Sequence, residues 1–365
     1  MLPAYSFGSD QHAHPLGNRN ESRETGNGKR ETELLYLFRF PFSFPISHFP
    51  FPVSRFPFFA RALMRALAVF FLALAACDQP QSEPAAEAPH TRVVMLGTGN
   101  PNADPDRSGP SVAVVVGNHA YLVDAGPGLV RRAGAAYRGG IAALAPEQLR
   151  IAFITHLHSD HTVGLADLIL SPWVLGRAEP LTLYGPPGIR DMSEHLLAAY
   201  NADVRNRIDG LEPANTEGYK VVAHDAAPGE IYRDERVTVT AVPVEHGDWD
   251  TSFAYRFETA DLVIVISGDA RPSESLVAAC NGCDVLVHEV YSAERFTQLP
   301  PEWQRYHARA HTSTQQLAEL ATRARPRLLV LYHQLYWGAT DEDLLREVQS
   351  RYPGNVVSAR DLGLY

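Results

Sequence analysis

The chain has 365 residues, 45% hydrophobic and 20% charged, which excludes a wholly disordered chain, a collagen-like repeat and a polytopic membrane protein. Its net charge is −10, and the whole excess lies beyond residue 90, where 24 basic groups face 34 acidic ones, against 8 and 8 before it. An acidic globular part speaks against tight nucleic-acid binding, and three cysteines are too few for a disulfide framework.

Residues 1–63 read as a disordered extension. Eleven of the sixteen phenylalanines fall between Phe38 and Phe71, many of them interleaved with prolines that break helix and strand alike, so no membrane span forms there. This stretch reads as upstream sequence in frame with a true start at Met64. Residues 64–77 then have the form of a signal peptide. Met64-Arg65 gives a short positive start and residues 66–76 an apolar core about half a membrane span long. The core ends in Leu74-Ala75-Ala76-Cys77, which is similar to the lipobox of bacterial lipoproteins, and residues 78–90 form a polar tether. The expectation is an exported protein of the bacterial cell envelope, periplasmic and lipid-anchored, touching the membrane only through Cys77.

From residue 91 to 365 the pattern is that of one α/β domain. Strands are predicted at 92–96, 112–116 and 120–123, the last two joined by the hairpin signal Gly117-Asn118, and a helix at 129–138. A strand at 151–155 precedes a helix at 163–170, and a strand at 181–184 precedes a helix at 189–200. Strands at 237–244, 252–258 and 262–267 are followed by a helix at 273–279 and a strand at 285–288. A helix at 314–323, a strand at 328–332, a helix at 341–351 and a strand at 356–358 complete the series. Hairpins mixed with βα units imply two mixed sheets with helices packed outside them.

Chemistry-bearing residues gather at the ends of these strands. His156, His158, Asp160 and His161 directly follow the apolar strand at 151–155. In extended backbone His156 and His158 point the same way and can share a metal, while Asp160 and His161 project from the turn that opens the next helix. His246, Asp269 and His333 each follow another apolar strand, and Asp124 follows the strand at 120–123. Imidazole with carboxylate suits zinc, and manganese or iron are compatible by softness. Two such cations about 3.5–4 Å apart hold a bridging hydroxide at neutral pH and need no protein nucleophile; neither G-x-S-x-G nor S-x-x-K is present.

These motifs, in this order, resemble those of the metallo-β-lactamase superfamily, and the resemblance covers residues 91–365. It implies an αββα sandwich and a two-zinc site. One zinc would take His156, His158 and His246, and the other Asp160, His161 and His333. Asp269 would bridge them, and Asp124 would orient a ligand. Leu96-Gly97-Thr98-Gly99, Tyr184-Gly185-Pro186-Pro187-Gly188, His288-Glu289-Val290-Tyr291 and His311-Thr312-Ser313-Thr314 are similar to segments of the ribonuclease Z-like branch. There the histidine matching His311 would protonate the leaving oxygen, oriented by an acid such as Glu289, and Asp160 would join both in the catalytic set.

One departure directs the choice of substrate. Bacterial ribonuclease Z carries a tRNA-gripping arm between the motifs matching His246 and Asp269. Here only the 22 residues 247–268 lie between them, and they read as two strands. Together with residues 102–111, Ser171-Pro172-Trp173 and Glu245-His246-Gly247-Asp248-Trp249, this looks like the exported arylsulfatase-like members of the branch. The expected activity is therefore a dinuclear zinc hydrolase of small sulfate or phosphate esters. The alternatives are a ribonuclease Z-type 3′-tRNA endonuclease and a non-catalytic metal-dependent binding lipoprotein. Nucleic acid is not the expected partner, and a homodimer is compatible with the sequence. Trp173, Trp249, Tyr336 and Trp337 are candidates to wall a pocket for an aromatic leaving group or, equally, for packing. Cys280 and Cys283 are read as a local disulfide or two unpaired thiols.

Overall fold

The computed structural model describes His90–Tyr365, within the second of two compact units of the chain, Gln81–Tyr365. The stretches read from sequence as an extension, a signal peptide ending at Cys77 and a tether lie, up to residue 89, outside the described residues. The first sheet comprises β1 (Thr91–Gly97), β2 (Ser111–Val116), β3 (His119–Val123), β4 (Ile151–Phe153), β5 (Leu181–Gly185) and β6 (Val221–Asp225), side by side in that order. The second comprises β7 (Gly229–Arg233), β8 (Val237–Val244), β9 (Ser252–Thr259), β10 (Val263–Ile266), β11 (Val285–Tyr291), β12 (Leu328–Leu335) and β13 (Val356–Ser358). Both sheets are mixed: β1 to β3 and β7 to β10 run antiparallel, whereas β3 to β6 and β10 to β13 run parallel.

The helices are α1 (Leu129–Arg138), α2 (Ser159–Thr162), α3 (Leu165–Val174), α4 (Ile189–Ala199), α5 (Asn201–Asp209), α6 (Glu274–Cys280), α7 (Ala293–Phe296), α8 (Pro301–Ala310), α9 (Thr314–Ala324) and α10 (Asp341–Gln349). Strand alternation explains how they are arranged. Along β2, Val112, Val114 and Val116 join Val239, Tyr255 and Ile264 of the second sheet in one core between the sheets. Ala113 and Val115 point the other way, into a second core with Leu129 and Ala133 of α1 and Leu165 and Leu168 of α3. A third core sets Leu286 and Leu329 against Leu317 of α9 and Leu344 of α10. With both faces covered, the short inner strands β4 and β10 are apolar throughout, and the result is the αββα sandwich.

The differences from the sequence reading have physical reasons. The edge strands β6 and β7 have no fully buried residue, so they carry no apolar run. α5 buries only Val204, and α8 hides a polar sequence behind Pro300-Pro301, the second of which starts the helix. α3 begins at Leu165 rather than 163 and runs on through Pro172 to Val174. Cys280 and Cys283 are joined in a disulfide that closes the turn after α6.

Candidate metal centre

Six segments meet where the two sheets end together. Asp124 follows β3, His156 follows β4, Asp160 and His161 lie in α2, His246 follows β8, Asp269 follows β10, and His333 sits inside β12. All are buried except His158, at the N-cap of α2, and Asp160, which are partly exposed.

Two backbone positions are bent to make this possible. On β12, Tyr332 pairs with Glu289 and Gln334 with Val290, so His333 is the extra residue of a bulge, at φ 45°. Asp124 also has a left-handed backbone, φ 63°. Such conformations cost about 1–3 kcal/mol each and persist where the surroundings enforce them. Gly268, φ 60°, gives the same turn before Asp269 without a side chain, and a Cβ there would lie 2.7 Å from the Thr155 Cβ.

His156 Nε2 and His246 Nε2 both lie 3.0 Å from His158 Nδ1. A single ring proton cannot satisfy three nitrogens converging on one point, whereas one cation can. Asp160 Oδ2 lies 3.2 Å from His333 Nε2 and 3.6 Å from His161 Nε2. Asp269 stands between the two triads, its carboxylate 3.3 Å from both His161 and His333 and 4.0 and 3.9 Å from His156 and His246. His161 Nε2 and Asp269 Oδ1 have no hydrogen-bond partner among the described residues although both are buried. The donor set, the converging lone pairs and these orphaned atoms fit divalent metal ions.

The ligand rings are aimed from outside. Asp124 accepts hydrogen bonds from His161 Nδ1 at 2.8 Å, from the Thr155 amide at 2.8 Å and from the Thr155 hydroxyl at 3.0 Å. His246 Nδ1 donates to the Ala310 carbonyl, 2.7 Å away at the end of α8. Each such bond fixes the tautomer that leaves the other nitrogen free for a metal. Burial alone disfavours a charged His161, yet Asp269 and Asp124 raise it well above the usual imidazole range. The field that favours a proton there favours a cation equally. Burial pushes His246 and His158 down to about 4, so both rings are neutral and able to ligate near pH 7.

His311 caps the C-terminus of α8 and faces Asp269 Oδ2 at 3.9 Å and Glu289 Oε1 at 3.5 Å. Glu289 accepts from the Thr312 amide at 2.8 Å and is fully buried. Burial, reinforced by Asp269, raises its carboxyl well above the ordinary range. Burial lowers His311 to about 4. Asp160, His311 and Glu289, singled out for catalysis, are thus gathered around the same centre.

The aromatic candidates separate. Trp173 is buried and donates to the Asn215 carbonyl, and Tyr336 donates to Asp341 under the Arg107 guanidinium; both pack rather than line the site. Trp249 lies at the site, its indole N–H donating to His158 Nε2 at 2.9 Å. Trp337 packs on His307, ring centroids 4.6 Å apart. Sequence reasoning missed Trp303, Tyr306 and His307 on α8, although Trp303, His307 and His311 recur every four residues, the spacing of one helix face.

The family profile of the Beta-lactamase superfamily domain matches residues 119–334, from β3 to the residue after His333. A protein named Ribonuclease Z from Mycobacterium sp. (strain KMS) is 37% identical over 245 residues, covering 67% of this chain and 84% of that protein. Ribonuclease Z of Mycobacterium bovis (strain BCG / Pasteur 1173P2) is 34% identical over 244 residues, 66% of this chain and 85% of the relative. Among solved structures, the metallo-beta-lactamase fold protein YhfI from Bacillus subtilis superposes with a TM-score of 0.59 at 17% identity, covering 75% of this chain and 98% of that one. The short form of human tRNase Z does so with 0.56 at 21% identity, over the same shares. At these identities the structural likeness is one of fold. The profile match and the relatives agree: the chain belongs to the metallo-β-lactamase superfamily, in its ribonuclease Z-like branch, and is of the metal-dependent hydrolase kind.

Proposed function

We propose that this protein is a dinuclear zinc phosphodiesterase of the ribonuclease Z type. The observation that carries the reading is Asp269, whose carboxylate reaches both His/Asp triads and also faces His311. Relatives named Ribonuclease Z move the weight from the sulfate esters expected from sequence to phosphodiesters. Zinc ions held by His156, His158 and His246 and by Asp160, His161 and His333 would supply Lewis-acid stabilisation of the charge that grows on the phosphoryl oxygens. Asp269 would hold the two triads in register. Asp124 keeps the proton of His161 on Nδ1, and the Ala310 carbonyl does the same for His246. His311, which faces Glu289 Oε1 at 3.5 Å, would pass a proton to the departing oxygen only as the protonated ring, the form that burial disfavours in the resting site.

A specific observation favours small esters over precursor tRNA within this reading. The interval between Gly247 and Gly268 is filled by β9 and the whole of β10, leaving no gripping arm. Lys220, the one lysine beyond residue 90, is paired with Glu217 at 2.6 Å. Binding tRNA depends on neutralising many phosphates. The test is turnover by the purified zinc-loaded protein of bis(p-nitrophenyl) phosphate, p-nitrophenyl sulfate, a β-lactam and a precursor tRNA. Hydrolysis of the diester, with His311→Ala hurting poor leaving groups more than good ones, supports the proposal. Turnover of the sulfate alone would sink it.

A further inference from the structure

α8 joins the metal centre to the surface through a staircase of rings. His311 stacks on His333 with centroids 5.9 Å apart and planes 19° from parallel. His307 follows at 5.4 Å and 37° from His311, and Trp303 at 5.7 Å and 26° from His307. Tyr306 closes the flank, its ring 5.9 Å from both His311 and Trp303. The two histidines are buried, whereas Trp303 and Tyr306 are 39% and 40% exposed. Large aromatic groups left in water beside a reaction centre need a reason, because nothing in the packing of α8 requires their outer faces bare.

The same helix is tied to the catalytic machinery at its other end. Its last carbonyl, on Ala310, orients His246. Arg309 reaches Asp248 at 2.9 Å, and its carbonyl accepts from the Gly247 amide, so α8 is pinned to the loop that carries Trp249. Its rings therefore stand at a fixed place relative to His311. Of the two arginines on α8, Arg305 is exposed and Arg309 pairs with Asp248 at 2.9 Å. The exposed ring faces of Trp303 and Tyr306 offer a planar group a π surface on which to stack.

We propose that Trp303 and Tyr306 form a stacking subsite for a planar aromatic group, a nucleobase or an aryl ring, attached to the leaving oxygen of the phosphodiester. The placement follows from His311, which serves the leaving oxygen and touches Tyr306 directly. The inference rests on the reading of the centre as a phosphodiesterase, and it names the substrate class that centre takes. Trp303 and Tyr306 are binding residues in it and move no proton.

The test uses the purified zinc-loaded protein and two kinds of readout. Calorimetric affinities are measured for adenosine 5′-monophosphate against ribose 5-phosphate, and for phenyl phosphate against methyl phosphate. The aromatic member of each pair should bind at least about 10-fold tighter, and Trp303→Ala with Tyr306→Ala should cut that preference by about 5- to 100-fold. Trp303→Phe with Tyr306→Phe should restore most of it, with zinc content unchanged throughout. The adenosine pair and the phenyl pair tell a nucleobase from an aryl source by which preference is larger. In turnover, the alanine variants should lower kcat/KM for diesters with an aromatic leaving group by more than for diesters with an alkyl one. Equal loss for aromatic and non-aromatic ligands, or no loss at all, overturns the subsite. Retained aromatic preference without turnover of any diester would overturn the phosphodiesterase reading and leave the subsite standing.

Discussion

The buried ligand cluster and the exposed rim of α8 lie side by side yet are held by different physics. In the cluster, rings are fixed by hydrogen bonds from behind: Asp124 on His161, the Ala310 carbonyl on His246, and Thr155 on His156 at 3.0 Å. Backbone strain at Asp124 and His333 is tolerated there. On the rim, Trp303 stacks on His307 and meets Tyr306 edge-on, in regular helix. Donor atoms around a metal must be placed to within about half an ångström, whereas a stacking face needs only an area in roughly the right plane.

The comparison can be broken by removing its centre. Asp269→Ala should lower metal content and activity together by more than about 100-fold, since the carboxylate reaches both triads. Metal analysis and turnover of the same preparation check this, and a variant that keeps both would refute the shared-carboxylate geometry.

Asp124→Asn is a sharper cut. Its carbonyl oxygen can still accept from the Thr155 amide, but an amide group facing His161 Nδ1 cannot accept as the carboxylate does. Zinc affinity should fall about 10- to 100-fold with the fold intact, measured by competition with a chromogenic chelator.

Gly268→Ala tests the strained backbone itself. A Cβ must meet Thr155 and a left-handed φ at once, so stability should drop by about 1–3 kcal/mol in urea unfolding. An alanine variant as stable as the parent would show that this turn can relax.

The smallest expected effect lies where the two regions touch. The Trp249 indole donates to the lone pair on His158 Nε2, but a cation on Nδ1 moves the ring proton onto Nε2. Metal binding and this hydrogen bond therefore exclude one another. Zinc titration should change tryptophan fluorescence, and Trp249→Phe should abolish most of that change while zinc affinity shifts by less than about tenfold.

Much of the centre was legible in sequence because a strand end is a local feature. An apolar run followed by His156-Leu157-His158-Ser159-Asp160-His161 carries its geometry in the backbone period, and His246 and Asp269 follow strands in the same way. His333 is different. It reads as the residue after a strand, but it is the bulged residue within β12, and only the pairing with β11 reveals this. α8 was hidden because its buried stripe is made of His307 and Ala310 rather than aliphatic residues.

The sequence by itself determined most of the alternation of strands and helices, the two covered sheets and the candidate metal-holding residues at the strand ends, since each rests on periodicity or on neighbours within a few positions. Only the tertiary structure decided that Asp269 stands between two triads, that the Ala310 carbonyl steers His246 across 64 residues, and that Trp303 rather than Trp173 comes to the rim. Those facts depend on how the ends of β8, β10 and β12 converge with α8. Convergence of segments far apart in the chain is set by how the two sheets pack, which no local pattern encodes.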